Sequence, residues 1–517
     1  MTTRQDHPPA RVSARSWAGL GLLMIPVFMA ALDMTVLFLA IPTIAAELLP
    51  SGTQQLWVLH IGDIVGASLV LTAGRLVDRF GPRRLLVLGL LAYGVASTLA
   101  AFAPSVELLI AARAFLGASA VTMMPSGMAL IRRMFPQSRQ FSIALALFMA
   151  AFSGGMALGP PLGGLLLEHF WWGSIFLVNV PVSVGVVLLA SRLLPQIPGT
   201  GSGRIDLFSV ALSAAGVAGI VFGAQELAAG GWNVLHALAV AAGVALLAAF
   251  VRRQRVLTTP VLDLRLFRSG PFSVALVAIL LVITVSAGAD LQFPQHLQVV
   301  IGHTPLETGM LLVIPAAAAV VATAASPLLL RWLRPGPAIG VSVLVAVLGA
   351  GGMVLLVSAG ADASTGLLVL AAAVVAFGIA PVFSLGANVA ISNAPVEQTG
   401  SATAMQEVSG SLGNTSGLAL GGSIAFLGYA GAMREVLPAG LSETAAAQSL
   451  QSVGGALAAA RDLSPDLAGQ LIEATKAAFT VATRDAYLLI FSGLILVAVL
   501  VFVGLRHARI EEESGDE

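Results

Sequence analysis

The hydrophobic positions of this chain come in long unbroken runs, not in alternation. Residues 85–103 and 488–504 contain no Asp, Glu, Lys or Arg. A helix rises about 1.5 Å per residue, so about 20 apolar residues cross a hydrocarbon core about 30 Å thick. In lipid every backbone polar group must be paired within a helix or a closed barrel. Barrel strands alternate apolar and polar positions. These runs do not, so the pattern predicts an all-α membrane protein. Fourteen spans are expected, at 17–40, 55–74, 85–103, 105–131, 141–167, 172–194, 207–228, 232–251, 272–298, 308–332, 338–358, 365–392, 402–428 and 484–505. Turn formers separate them, among them Phe80-Gly81-Pro82, Ala103-Pro104, Phe135-Pro136, Arg334-Pro335-Gly336 and Asn393-Ala394-Pro395.

The distribution of positive charge agrees with an even count. Of 26 Lys and Arg, 21 fall on the side that holds both termini. Four fall on the other side (Arg434, Arg461, Lys476 and Arg484), and Arg113 alone lies within a span. Positive residues collect on the cytoplasmic side, which predicts cytoplasmic N- and C-termini. A miscount by one helix would scatter this asymmetry.

Composition adds the solvent. The chain is 57% hydrophobic and 10% charged, where soluble domains carry about 25% charged residues. Lipid is therefore its medium, and a multi-pass place in the cell membrane follows. There is no cysteine, which excludes disulfides, thiolate nucleophiles and zinc–thiolate sites. The polar stretch 1–16 runs into an apolar segment that outlasts a signal peptide and contains an acid, so it reads as a retained helix.

Two segments are not spans. Residues 257–271 mix Leu262, Leu264, Leu266 and Phe267 with Arg265 and Arg268, the pattern of a short helix lying in the membrane interface. Residues 429–483 form a long outer loop. Ser442 and Ser464-Pro465 are good helix starts, so two short Ala-rich helices are expected there, as a hairpin over the outer mouth or as a solvated ornament.

Ionisable residues inside the membrane are costly and point to function. Asp33 lies about 10 Å from the outer end of its span, and Asp63 and Arg113 about 12 Å from theirs, by the helical rise. His60 and Asp63 stand one turn apart. A lone buried Arg needs a carboxylate partner, and Asp33–Arg113 is the leading pair. Asp63 is the alternative partner, which would leave Asp33 free. In the second half Asp290 lies in the outer part of its span, deep or merely solvated. Glu407 lies near an inner end beside Gln406, functional or snorkelling to the interface. Burial disfavours a carboxylate's charge and a nearby cation favours it. An acid balanced between the two can hold a proton when empty and release it to a cation. His60 titrates in a similar range, or is a packing histidine.

Four segments carry a resemblance. Gly74-Arg75-Leu76-Val77-Asp78-Arg79-Phe80-Gly81-Pro82-Arg83-Arg84 resembles the loop between the second and third helices of the major facilitator superfamily. Arg113-x-x-x-Gly117 resembles that superfamily's intramembrane arginine motif. Gly155, Gly159, Pro160, Gly163 and Gly164 match its antiporter motif. Leu32-Asp33-Met34-Thr35-Val36, running on to Ala40-Ile41-Pro42, is similar to a first-helix sequence of the fourteen-helix drug:proton antiporters, and to their QacA/SmvA-type exporters of quaternary ammonium compounds in particular. The long loop before the last helix fits as well.

The resemblance implies a fold of two six-helix bundles, 17–194 and 272–505, with two extra helices in 195–256, the interfacial segment 257–271 and tails 1–16 and 506–517. It implies a cytoplasmic gate at Gly74, Asp78, Arg79, Gly81 and Arg83, and proton coupling through Asp33, Asp63, Arg113 and Glu407. Asp33, Trp57, His60, Asp63, Asp290 and Glu407 would bind substrate. Tyr93, Phe148, Phe152, Met123 and Met124 are further apolar candidates. The chain departs from the pattern it resembles in carrying His60 where that family has an acid, and in an apolar 314–325.

The resulting expectation is a monomeric exporter of small lipophilic cations, driven by the proton motive force with no cofactor, metal or nucleic-acid partner. The reduced number of acids keeps open an exporter of a neutral or anionic antibiotic or metabolite. An enzyme or sensor lacks a site: no His/Glu metal spacing, nucleophile elbow or phosphate loop occurs.

Overall fold

The computed structural model describes residues 13–199, 206–230, 233–257, 264–360, 364–393 and 399–505. The described chain is helical. In the first half stand α1 (Ala14–Leu48), α2 (Gly52–Phe80), α3 (Pro82–Ala101), α4 (Val106–Ala120), α5 (Met123–Met134), α6 (Ser138–His169), α7 (Ser174–Leu177) and α8 (Asn179–Leu193). A pair follows, α9 (Leu207–Gly230) and α10 (Val234–Val256). The second half has α11 (Gly270–His296), α12 (Pro305–Leu329), α13 (Pro335–Ser358), α14 (Thr365–Ser392) and α15 (Thr399–Val436). It ends in the short α16 (Glu443–Gln451) and α17 (Val453–Ala460) and the long α18 (Pro465–Gly504).

Among the described residues, twelve helical segments are long and apolar enough to cross a membrane. Helices α2 and α9 fall at expected spans but outside those twelve. Several side chains along both helices lie outside the described set, so neither is counted there. Two expected spans are broken. The fourth is α4 and α5, and the sixth is α7 and α8.

The two halves repeat one packing scheme. Helix α1 packs on α6, α2 on α4, α3 on α4, and α3 on α8. The same pairings recur as α11 on α15, α12 on α14, α13 on α14, and α13 on α18. Glycines line the equivalent seams at a spacing of four, which keeps them on one helix face. Gly155, Gly159 and Gly163 of α6 meet Phe28, Leu32 with Thr35, and Val36 of α1. Gly413, Gly417 and Gly421 of α15 meet Leu280 with Ile283, Thr284 with Ala287, and Gly288 of α11. Each glycine lets backbone approach backbone, the close packing that lipid-embedded helices depend on.

The halves meet through α6 on α12 and α2 on α15. Helix α9 packs on α10, and also on α2 and α15, so the pair touches both halves. Arg253 at the end of α10 pairs with Asp206 before α9 at 3.0 Å. Burial pushes that carboxyl up, but hydrogen bonds from Arg253 and Ser209 outweigh it and hold it at about 2.

The outer loop and the segment before α11 differ in part from expectation. Ser442 and Ser464 do start helices, with Ser442 accepting from the Ala445 N–H and Pro465 in the first turn after Ser464. The second is not a short separate helix. Nothing between Pro465 and Gly504 breaks it, so α18 runs straight into the last span, and the small partner of α16 is α17 instead. The buried Tyr429 hydroxyl donates to Ser449 O at 2.9 Å, tying α16 to α15. Tyr429→Phe should cost about 1 kcal/mol of stability, read as a lowered Tm in detergent with transport retained. Within 257–271, residues 258–263 lie outside the described set. Leu264–Arg268 is a 3₁₀ turn with Leu266 buried in the core of the second half, and α11 already begins at Gly270.

Candidate functional site

The site forms where α1, α2 and α4 converge. Asp33 Oδ2 accepts from Arg113 Nη1 at 2.6 Å, with the two residues 7% and 5% exposed. Arg113 Nε donates to the Val58 carbonyl of α2 at 3.2 Å. Its guanidinium carbon lies 5.9 Å from the centre of the Phe176 ring, within cation–π range. Asp33 Oδ1 is buried and has no hydrogen bond among the described residues. The pair is thus half-satisfied in hydrogen bonding: Oδ2 carries the ion pair, and Oδ1 has no partner among the described residues.

The packing explains the spacing of Arg113-x-x-x-Gly117. A Cβ on Gly117 would run into the backbone of Gly62, and one on Gly62 would meet Arg113 O at 3.2 Å. Helices α2 and α4 therefore touch through glycine one turn from Arg113. That contact brings the Val58 carbonyl within reach of the guanidinium, and it brings Asp63 close enough for Arg113 and Asp33 to act on it through space.

Asp63 is not the partner of Arg113. It accepts from Asn414 Nδ2 at 2.8 Å, a bond from α15 of the other half. Asn414 is absent from the sequence-based list. Its neighbours Gln406, Glu407 and Ser411 are polar too, and composition gives no reason to single it out.

Other expected residues take different places. Trp57 packs on Phe222 of α9 with ring centres 6.4 Å apart, beside Ile64, Val217 and Ala218. Its ring thus faces α9, while the carbonyl of the next residue, Val58, faces Arg113. Tyr93, Phe148 and Met123 are fully buried in the core of the first half, so they fill space between helices. The side chains of His60, Asp78, Asp290 and Glu407 lie outside the described set, as does the surface of Gly74.

The antiporter motif has two faces. Gly155, Gly159 and Gly163 face α1. Gly164 lies on Pro305 and Leu306, and Gly309 on Pro160 and Pro161, so the other face meets α12 of the second half. The α2–α3 turn carries the expected gate. Gly81 has φ +83°, where glycine is favoured. A Cβ there would strike the Ile197 carbonyl, Gly199 lies on Arg79 O, and Arg83 Nη1 donates to Leu194 O at 3.3 Å. Arg79 stacks on Phe80 at 5.5 Å. The turn is thus strapped by 194–199, the segment that leads to α9.

A small cavity of about 60 Å³ lies at the α2–α15 seam, lined by Gln55, Gln292, Gln295, Phe426, Tyr429 and Gln451 among others. Gln292 is 4% exposed and its Oε1 is unpartnered among the described residues.

Two pseudo-repeated helical halves, a buried ion pair and glycine seams are the frame of a multi-pass membrane transporter. The family model of the Major Facilitator Superfamily matches residues 23–418, and the chain belongs to that family. It is 34% identical to the multidrug efflux pump LfrA of Mycolicibacterium smegmatis, over 98% of this chain and 100% of that one. It is 31% identical to the methyl viologen resistance protein SmvA of Salmonella typhimurium, over 96% and 99%. It is 29% identical to the tetracenomycin C resistance and export protein of Streptomyces glaucescens, over 99% and 96%. The fold matches a bacterial homologue of the lysosomal transporter Spinster at a TM-score of 0.65 and 15% identity, covering 96% of this chain and 98% of that one. The protein is a multi-pass transporter of the cell membrane whose relatives are multidrug efflux pumps.

Proposed function

We propose that this protein is a proton-coupled multidrug exporter of lipophilic cations such as quaternary ammonium compounds and dyes. The observation that carries the proposal is the half-satisfied Asp33–Arg113 pair, buried, with Asp33 Oδ1 open to a proton or cation and Asp63 beside it. A proton entering from outside neutralises an acid, and an arriving cation displaces it. The named relatives, LfrA and SmvA, support the drug-export side of this reading. In it the chain has fourteen spans with cytoplasmic termini and works as a monomer. Glu407 and Asp290 add acids from the second half, His60 lies near the site, and the Gly74–Arg83 turn gates the cytoplasmic side.

Inverted vesicles energised with a pH gradient test this. They should accumulate ethidium-type cationic dyes, lose them when a protonophore is added, and fail to accumulate them with Asp33→Asn. Full gradient-driven accumulation in that variant would remove Asp33 from the mechanism. One observation favours a second reading, export of a neutral or anionic antibiotic: the likeness to the tetracenomycin C exporter. Competition by uncharged polyketides against the dye in the same vesicles separates the two.

A further inference from the structure

Asp63 and Asn414 stand on helices of opposite halves. The seam between α2 and α15 runs in antiparallel register, with Gly52 against Phe426 and Leu56 against Gly422. The hydrogen bond from Asn414 Nδ2 to Asp63 Oδ2, at 2.8 Å, continues that register two turns deeper. Among the described residues it is a direct side-chain hydrogen bond across a seam that glycines bring close.

The chemistry of this tie depends on charge. A primary amide donates to a carboxylate without neutralising it, and the bond is strengthened only while the acid is ionised. Around Asp63, α4 brings Arg113 and α1 brings Asp33, both acting through space. Those two are already paired with each other. Helix α9 meets α2 here through Val217 and Ala218 against Ile64. On α2 itself the nearest titratable residue is His60, one turn earlier. Ionised Asp63 thus faces a cation committed to another acid and a neutral amide committed to the other half.

We propose that the Asp63–Asn414 hydrogen bond is a latch that holds the two halves together at this end while the carrier is empty, which makes Asn414 a coupling residue of the transport cycle. The inference rests on the proton-coupled reading above. With Asp63 ionised and nothing bound, the bond is strongest and α2 stays on α15. A proton on Asp63 removes the charge that strengthens it. A cationic substrate drawn to the same carboxylate competes for the same oxygen. Either event frees α2 from α15, and the empty ionised carrier stays shut. Loaded forms then change conformation and the empty form does not, which separates exchange from leak. Each ligand acts only through its differential affinity for the two states.

The cysteine-free chain allows a direct test. Gln292→Cys, placed in the seam cavity of the full-length protein in liposomes, is labelled by a membrane-impermeant maleimide only when the halves part. Rates are normalised to Glu443→Cys, an exposed position on α16. With Asn414 intact, normalised labelling should rise several-fold from alkaline to acidic medium. Asn414→Ala should be fast already at alkaline pH, with little pH dependence, and should leak protons several-fold faster without drug. Asn414→Asp sets a second carboxylate against Asp63, so labelling should be fastest at alkaline pH and slow as one acid takes a proton. That inversion is not expected of a residue that merely packs. Asn414→Gln keeps the amide and should retain the parent's direction of pH dependence. Parent-like labelling and leak in both Asn414→Ala and Asn414→Asp overturn the latch. If the labelling behaves as described but no cationic dye is exported, the latch stands and the substrate reading fails.

Discussion

Arg113→Ala should abolish gradient-driven transport and cost about 3–5 kcal/mol of stability, the scale for removing one partner of a buried ion pair. Asp33 Oδ2 would lose its partner and Oδ1 has none among the described residues, leaving a bare carboxylate that is 7% exposed. Val58 O would also lose the Nε donor. Asp33→Asn should be milder for folding, since Arg113 keeps the Val58 carbonyl and the Phe176 ring face. The double variant Asp33→Asn/Arg113→Gln has no charge to strand. It should regain most of the lost stability while remaining inactive in proton-driven transport. Thermal unfolding in detergent, beside the vesicle assay, reads both effects. Equal stability of the Arg113→Ala and double variants would mean that the pair contributes nothing as a pair.

A second large effect is expected at Gly117→Val. The new side chain would be forced into the backbone of Gly62, which cannot rotate away as a side chain can. Overpacking of this kind costs about 1–3 kcal/mol, and a backbone neighbour places it at the upper end. The functional cost should exceed the stability cost. Parting α2 from α4 withdraws the Val58 carbonyl from Arg113 and shifts Asp63 relative to Asn414. Gly159→Val should act in the same way on α1, through Thr35 and Leu32. Gly21→Ala is the control, because a Cβ there meets nothing within 4 Å. A Gly117→Val protein with normal Tm and normal dye efflux would show that the α2–α4 contact is not needed.

Much of the helical layout was readable along the chain, because a lipid-crossing helix satisfies its own backbone and declares itself by length and hydropathy. The breaks at 121–122 and 178 were not readable. They fall inside long apolar runs, where a single polar residue such as Thr122 or Asn179 does not announce an end. The failure at 465–483 is the reverse case. The short helix expected from Ser464 is instead the first part of α18, since no helix breaker separates its polar, threonine-bearing turns from the apolar span that follows. Trp57 carries no sign in the sequence of its packing against Phe222. Its orientation depends on α9, which lies more than 150 residues away in the chain.

By itself the sequence determined that this protein lives in lipid, that few charges lie within its spans, and that Arg113 needed a carboxylate partner. Each of these follows from the cost of placing a polar group in hydrocarbon, which is local to the residue concerned. Only the tertiary structure decided which acid Arg113 holds, that the two halves repeat one helix packing, and that Asp63 is tied to Asn414 across the seam. Those are contacts between residues as many as 351 positions apart. Glycine stripes bring them together, and their meaning appears only when the helix on the other side is in place.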